Sequence, residues 1–125
     1  MAKLNFLLHH SSLMVADVEA SLHFYTQILG LQQMPRPDLG FPGAWFQLGE
    51  NQQLHIIQLP NMDPTSGRPE HGGRDRHVAL TVDDFDLVRQ TLDENKVMYS
   101  MSKSGRKALF VRDLDANAIE IIGRN

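Results

Sequence analysis

The chain has 125 residues, a formal net charge of -3 and no cysteine, so it fits one domain or two half-size units sharing a core. Its 42% hydrophobic and 22% charged residues match an ordinary globular protein and argue against wholesale disorder and against a dedicated nucleic-acid binder. Without thiols there are no disulfides, thiolate nucleophiles or cysteine-ligated metals, so any transition metal must be held by carboxylates and the six histidines.

Taken in chain order, segment 6–15 reads as a strand. Asp17 then caps a helix whose apolar face is Val18, Leu22, Tyr25 and Leu29, closed by Gly30. A proline- and glycine-rich loop, 35–43, precedes strands at 44–48 and 53–59, joined by the turn Gly49-Glu50-Asn51. Residues 60–76 have no periodicity and read as a connection between halves. The pattern then returns. His77–Val82 alternates as a strand, and Asp83 or Asp84 caps a helix with Phe85, Val88 and Leu92 on its face. Asn95 stands where Gly30 stood, as a left-handed cap. Strands at 108–112 and 118–122 flank the turn 113–117.

The two halves can be superposed. At an offset of 67 residues His10 meets His77, and at an offset of 65 Trp45 meets Phe110 and His55 meets Glu120. A metal-competent side chain therefore sits at the same two places in each half. Strand alternation puts Leu13, Val15, Val78, Leu80 and Val82 on a helix-facing side, and His10, Ser12 and Met14, with His77, Ala79 and Thr81, on the other. By the same arithmetic His55 shares a face with Ile57, and Glu120 with Ile122. If the sheet curls with those faces inward, His10, His55, His77 and Glu120 converge. Three imidazoles and a carboxylate suit Zn, Ni, Co, Mn or Fe(II) rather than Ca or Mg.

Two stretches then resemble a known superfamily. His10 through Leu31 (HSSLMVADVEASLHFYTQILGL) is similar to an H-x4-V-x-D … FY-x3-LG-(L/M) opening, and Arg112 through Ile121 (RDLDANAIEI) to DPDGNxxE. Both patterns belong to the vicinal oxygen chelate superfamily of glyoxalases, bleomycin-resistance proteins and extradiol dioxygenases. The resemblance implies an α+β fold of paired βαβββ modules, here 5–59 and 77–123 of one 1–125 domain, forming a cup-shaped, partly open barrel. It implies a divalent metal held by His10, His55, His77 and Glu120, with Glu120 also the candidate catalytic carboxylate, and bidentate chelation of a small substrate's vicinal oxygens that stabilises an oxyanion. It also implies a homodimer.

Two departures stand out. Leu114 and Ala116 replace the usual proline and glycine of the last turn. His55 replaces the glutamate or glutamine of glyoxalase I and related epimerases, which leaves the site one charge more positive, favours anionic ligands and removes a possible base. The leading expectation is a metal-dependent lyase or isomerase. An Fe(II) extradiol-type dioxygenase using His10, His77 and Glu120 is the alternative within the enzymes, and a non-catalytic bleomycin-resistance-type binding protein the alternative outside them. Arg36 and Arg74, in the two irregular loops, are candidates for an anionic group of the substrate, and Trp45, Phe46, Ser12 and Thr81 for the pocket wall. Single histidines on strands are more often structural, and His9, His23 and His71 receive no role, although His71 lies where a lid would. With no signal-peptide core and no run near the roughly 18 apolar residues of a membrane span, the expected setting is cytoplasmic, with no membrane or nucleic-acid partner.

Overall fold

A computed structural model describes residues 3–124; Met1, Ala2 and Asn125, and with them the outer bounds of the expected 1–125 unit, lie outside the described residues. Each half forms a four-stranded sheet. The first holds β1 (His10–Met14), β2 (Gln32–Met34), β3 (Gly43–Leu48) and β4 (Gln52–Ile57), in the order β1-β4-β3-β2. The second holds β5 (His77–Val82), β6 (Tyr99–Met101), β7 (Ala108–Arg112) and β8 (Ala118–Gly123), in the order β5-β8-β7-β6. In both, the first strand runs parallel to the last and the remaining pairs are antiparallel. Helices α1 (Val18–Leu22) and α2 (Phe85–Glu94) make the crossovers that a parallel pair requires. The halves are thus βαβββ modules of an open α+β fold, and the residue offsets found in the sequence are offsets between equivalent strands.

The core lies between each sheet and its helix. Leu54, Ile56, Phe46 and Ala44 face it in the first module, and Leu109, Val111, Ile119 and Ile121 in the second. The opposite face of each sheet carries the other half of the alternation, the one holding the histidines.

Several local readings need correction. β1 begins only at His10. Residues 6–8 run past the end of its partner β4 and leave Phe6, Leu7 and Leu8 exposed, because a strand needs a neighbour to satisfy its backbone groups. β2 and β6, three residues each, carry too little alternation to stand out in the residues themselves. α1 continues as a π-helical turn over His23–Ile28, with the Leu29 N–H bonding back to the Phe24 carbonyl. The wider turn seats the adjacent Phe24 and Tyr25 both inside, with Ser21 and Val18, and leaves Leu22 and Leu29 only part-buried, so the 3.6-residue face shifts. At the end of α2 the left-handed residue is Lys96 (φ 57°), not Asn95 (φ -92°), whose side-chain amide instead caps the Thr91 carbonyl. Asp17 and Asp84 cap their helices through the Ala20 and Leu87 amides.

The modules are tied together by the last turn. The Tyr25 hydroxyl donates to Asp113 Oδ2 at 2.5 Å, across 88 residues of sequence. Asp113 also accepts from the amides of Asp115 and Asn117, and the Asn117 side chain donates onward to the Met14 carbonyl. Burial, followed by the charge and hydrogen bond of Asp113, pushes the Tyr25 hydroxyl well above the usual tyrosine range. Tyr25 belongs to the first resembling stretch and Asp113 to the second, so this contact accounts physically for the presence of both.

Candidate metal centre in two halves

In the first module Ser12 pairs with His55 across β1 and β4, and Trp45 pairs with His55 across β3 and β4. The three rings His10, His55 and Trp45 form a stack, with centroids 4.1 Å apart for His10–His55 and 4.4 Å for His55–Trp45. His55 Nε2 lies 2.8 Å from Gln53 Oε1, which leaves Nδ1 as its free nitrogen, and His10 Nδ1 lies 2.9 Å from His9 Nδ1, which leaves Nε2. Burial first, and then the charges of His10, His9 and Arg36, push His55 down to about 4. The ring is therefore neutral near pH 7, as a ligating imidazole must be.

In the second module His77 Nδ1 lies 2.8 Å from the Asp75 carbonyl and Nε2 lies 3.3 Å from Glu120 Oε1. A carbonyl only accepts, so Nδ1 carries the proton, and in a neutral ring Nε2 is an acceptor aimed at a second acceptor. Only a positive centre between them, a proton or a metal cation, makes that approach favourable. Metal-ligating histidines likewise donate one ring N–H to a backbone carbonyl, which fixes the tautomer and leaves the other nitrogen to bind. Glu120, 3% exposed, has its other oxygen 3.1 Å from Arg106 Nη2. The donor chemistry of both pairs thus fits a divalent transition metal.

The structure joins His10 with His55, and His77 with Glu120, but leaves the two pairs apart. Among the described residues no group of three or more His, Asp or Glu stands in a metal-holding arrangement. The two sheets sit in an open arrangement, so the convergence that depends on curling is not completed within this chain.

The linker 60–76 covers the open face of the second sheet. A 3-10 turn at Gly72–Arg74, capped by His71, rests on Phe110 and Ala118. Gly72 is buried, and a Cβ there would stand 3.0 Å from Phe110 Cβ. His71 packs at 5.1 Å from the Phe110 ring, and its Nε2 lies 3.2 Å from the Met101 carbonyl. Buried Asp75 anchors the segment through Arg68 and Arg112 Nη1, the latter at 2.9 Å. These two guanidiniums hold its carboxyl well below the usual carboxylate range, the Arg68 hydrogen bond contributing most.

The remaining sequence candidates divide. Trp45 faces the open side beside His55, whereas Phe46 is fully buried and stacks on Tyr25 in the core, so Phe46 is packing and not pocket wall. Ser12 and Met14 line a cleft of about 250 Å³ that also reaches His77, Arg68, Arg76 and Asn117. Arg74 lines a recess of about 440 Å³ with His71, His77, Lys103, Arg106 and Glu120. Thr81 lines a different recess, with Gly30 and Gln47. Arg36 lies on the open face of the first sheet, against Gly43. Sequence reasoning missed Arg106 and Asp75, since pairing between a loop arginine and a strand carboxylate leaves no periodic trace. Asp113 was inside a quoted motif, but its partner Tyr25 is visible only in three dimensions.

A profile of the Glyoxalase/Bleomycin resistance protein/Dioxygenase superfamily matches residues 7–121. The chain belongs to that superfamily. It is 28% identical over 120 residues to "Glyoxylase I 4" of Arabidopsis thaliana, covering 91% of this chain and 68% of the relative. It is 23% identical over 122 residues to the mitochondrial methylmalonyl-CoA epimerase of Bos taurus, covering 90% and 70%. The crystal structure of a glyoxalase family protein from Bacillus anthracis superposes with a TM-score of 0.81 at 22% identity, covering all of both chains, and supports the fold. Both curated relatives are named as enzymes, and neither name fixes the reaction of this superfamily member.

Proposed function

We propose that this protein is a divalent-metal-dependent enzyme, a lyase or isomerase, that chelates vicinal oxygens of a small substrate. The observation that carries the reading is the His77–Glu120 pair, two acceptors held 3.3 Å apart with the ring tautomer fixed by Asp75. His10 and His55 supply the matching pair in the first module. Because one chain keeps the pairs apart, the reading includes a homodimer in which His10 and His55 of one copy complete the site with the second copy's equivalents of the other pair. A bound divalent cation would supply Lewis acidity toward substrate oxygens. The chain's own part is to keep His55 neutral, to hold His77 in one tautomer, to exclude water with the Gly72–Arg74 turn, and to present Glu120 as a carboxylate that ligates or accepts a proton.

Metal analysis of protein purified without chelators tests this, with His55→Ala and Glu120→Ala beside it. Stoichiometric metal in the wild type and its loss in both variants is the expected result; metal-free wild type refutes the reading. Mixing the two variants under dimer-exchanging conditions should restore part of the metal binding, because one of the two sites in a mixed dimer is intact. Turnover of hemithioacetals or epimerisable acyl thioesters, rather than oxygen-dependent cleavage of catechols, separates lyase or isomerase from dioxygenase.

A further inference from the structure

Arg89 meets the Tyr99 hydroxyl, and Arg68, Arg76, Arg106, Arg112 and Arg124 each meet a carboxylate. Arg36 does not. Its Nη1 donates to the Phe41 carbonyl at 3.0 Å, and its guanidinium carbon stands 5.0 Å from the Phe41 ring centroid. Its Nε and Nη2 atoms are buried and have no hydrogen-bond partner among the described residues. Buried, unmatched charged donors are costly, and a native fold that keeps them calls for a partner.

Those two atoms form the side edge of the guanidinium, the edge that takes a planar carboxylate through two parallel N–H···O bonds. The seat is built for the group. Gly43 begins β3, and a Cβ there would fall 2.7 Å from the Ile56 carbonyl oxygen and 2.8 Å from both Cζ and Nε of Arg36, so the strand and the guanidinium both pack against the bare backbone at this position. Gly43 shares its strand face with Trp45, two residues on, and Trp45 stacks on His55.

We propose that Arg36 is the carboxylate-binding residue of the substrate site, so that the substrate is a small carboxylic acid gripped by this edge while its other oxygens face the histidines. The proposal rests on the metal-enzyme reading for its catalytic meaning, but anion binding at Arg36 needs no metal. A carboxylate at this edge satisfies both donors at once. A lysine cannot do this, since its ammonium is a point donor.

The probe is succinate, compared with succinamide, titrated into the whole 125-residue chain after metal has been stripped with EDTA and the EDTA, itself a polycarboxylate, dialysed away. Trp45, the only tryptophan of the chain, serves as the fluorescence reporter, and calorimetry as the check. Wild type should bind succinate at least about 10-fold more tightly than succinamide, and Arg36→Gln should weaken succinate by about 10- to 100-fold. Arg36→Lys should fall between the two. Equal binding of acid and amide by wild type overturns the proposal, as does unchanged affinity in Arg36→Gln. Should Arg36→Gln fail to fold, unchanged affinity in Arg36→Lys overturns it. Because these titrations exclude metal, failure here leaves the metal analysis untouched, and a metal-free wild type leaves the succinate result standing.

Discussion

Tyr25→Phe is the most informative single perturbation of the fold, because it deletes one oxygen and leaves the ring packing in place. The hydroxyl it removes donates to Asp113, which is 7% exposed, and it is the contact that joins the π-helical turn of one module to the last turn of the other. A hydrogen bond to a charged, buried acceptor contributes about 1.5–3 kcal/mol. For a domain of this size the loss should lower the melting temperature by about 5–12 °C. Asp113→Ala should cost more, since Asp113 accepts four hydrogen bonds: from Tyr25, from the amides of Asp115 and Asn117, and from the Asn117 side chain. The double variant should be less destabilised than the sum of the singles, by about 1 kcal/mol or more, because each single already breaks the shared bond. Alkaline pH supplies a second readout. Folding raises the Tyr25 hydroxyl above its unfolded value of about 10, so its contribution is complete below pH 10 and is lost as pH rises through the folded value. Tyr25→Phe lacks that part of the alkaline decline. Urea melts across pH 7 to 11 measure all of this. A Tyr25→Phe cost below about 0.5 kcal/mol, or strict additivity with Asp113→Ala, refutes the idea that this bond holds the modules together.

Three further outcomes follow from particular contacts. Ala116 sits at φ +65° in the turn where the superfamily pattern has glycine, and Ala116→Gly should stabilise by up to about 1 kcal/mol in thermal melts, the relieved left-handed strain outweighing glycine's added unfolded-state freedom. Gly72→Ala should destabilise by about 1–3 kcal/mol and speed proteolysis of the linker, because its Cβ would stand 3.0 Å from that of Phe110. Arg106→Gln should tighten divalent-metal binding by about 2- to 5-fold in calorimetric titrations, since the guanidinium on Glu120 is a competing cation whose half-exposed ion pair is weak.

What was legible in the sequence was whatever repeats. Alternation in β5, β7 and β8 located those strands to within a residue, and the matching of His10 with His77 and of His55 with Glu120 located two sheet positions per module. Alternation lets only one of Trp45 and Phe46 face the open side; both were candidates for the pocket wall, and the pairing of Trp45 with His55 sends Phe46 into the core. Features that depend on one contact between distant segments were not legible. Nothing periodic marks β2, which exists because Gln32–Met34 pairs with Trp45–Gln47. Nothing in the helical spacing marks a π turn, which is paid for by the burial of Phe24 and Tyr25 together.

The two halves of the site also differ in a way their shared sequence pattern conceals. In the second, Glu120 is buried with both oxygens engaged and the linker turn lies over Phe110, held by Asp75 between two arginines, while His77 stays exposed. In the first, His10 and Ser12 are exposed and His55 is buried, and the buried Nε and Nη2 of Arg36 lie near Gly43 without a partner among the described residues. A metal ligated by one pair alone would have two protein donors, too few for a tightly held transition metal, and the other pair offers two more. Each half supplies what the other lacks. On the proposed reading the substrate's chelating oxygens would sit near those four side chains and its carboxylate at Arg36, whose Nε and Nη2 have no partner among the described residues.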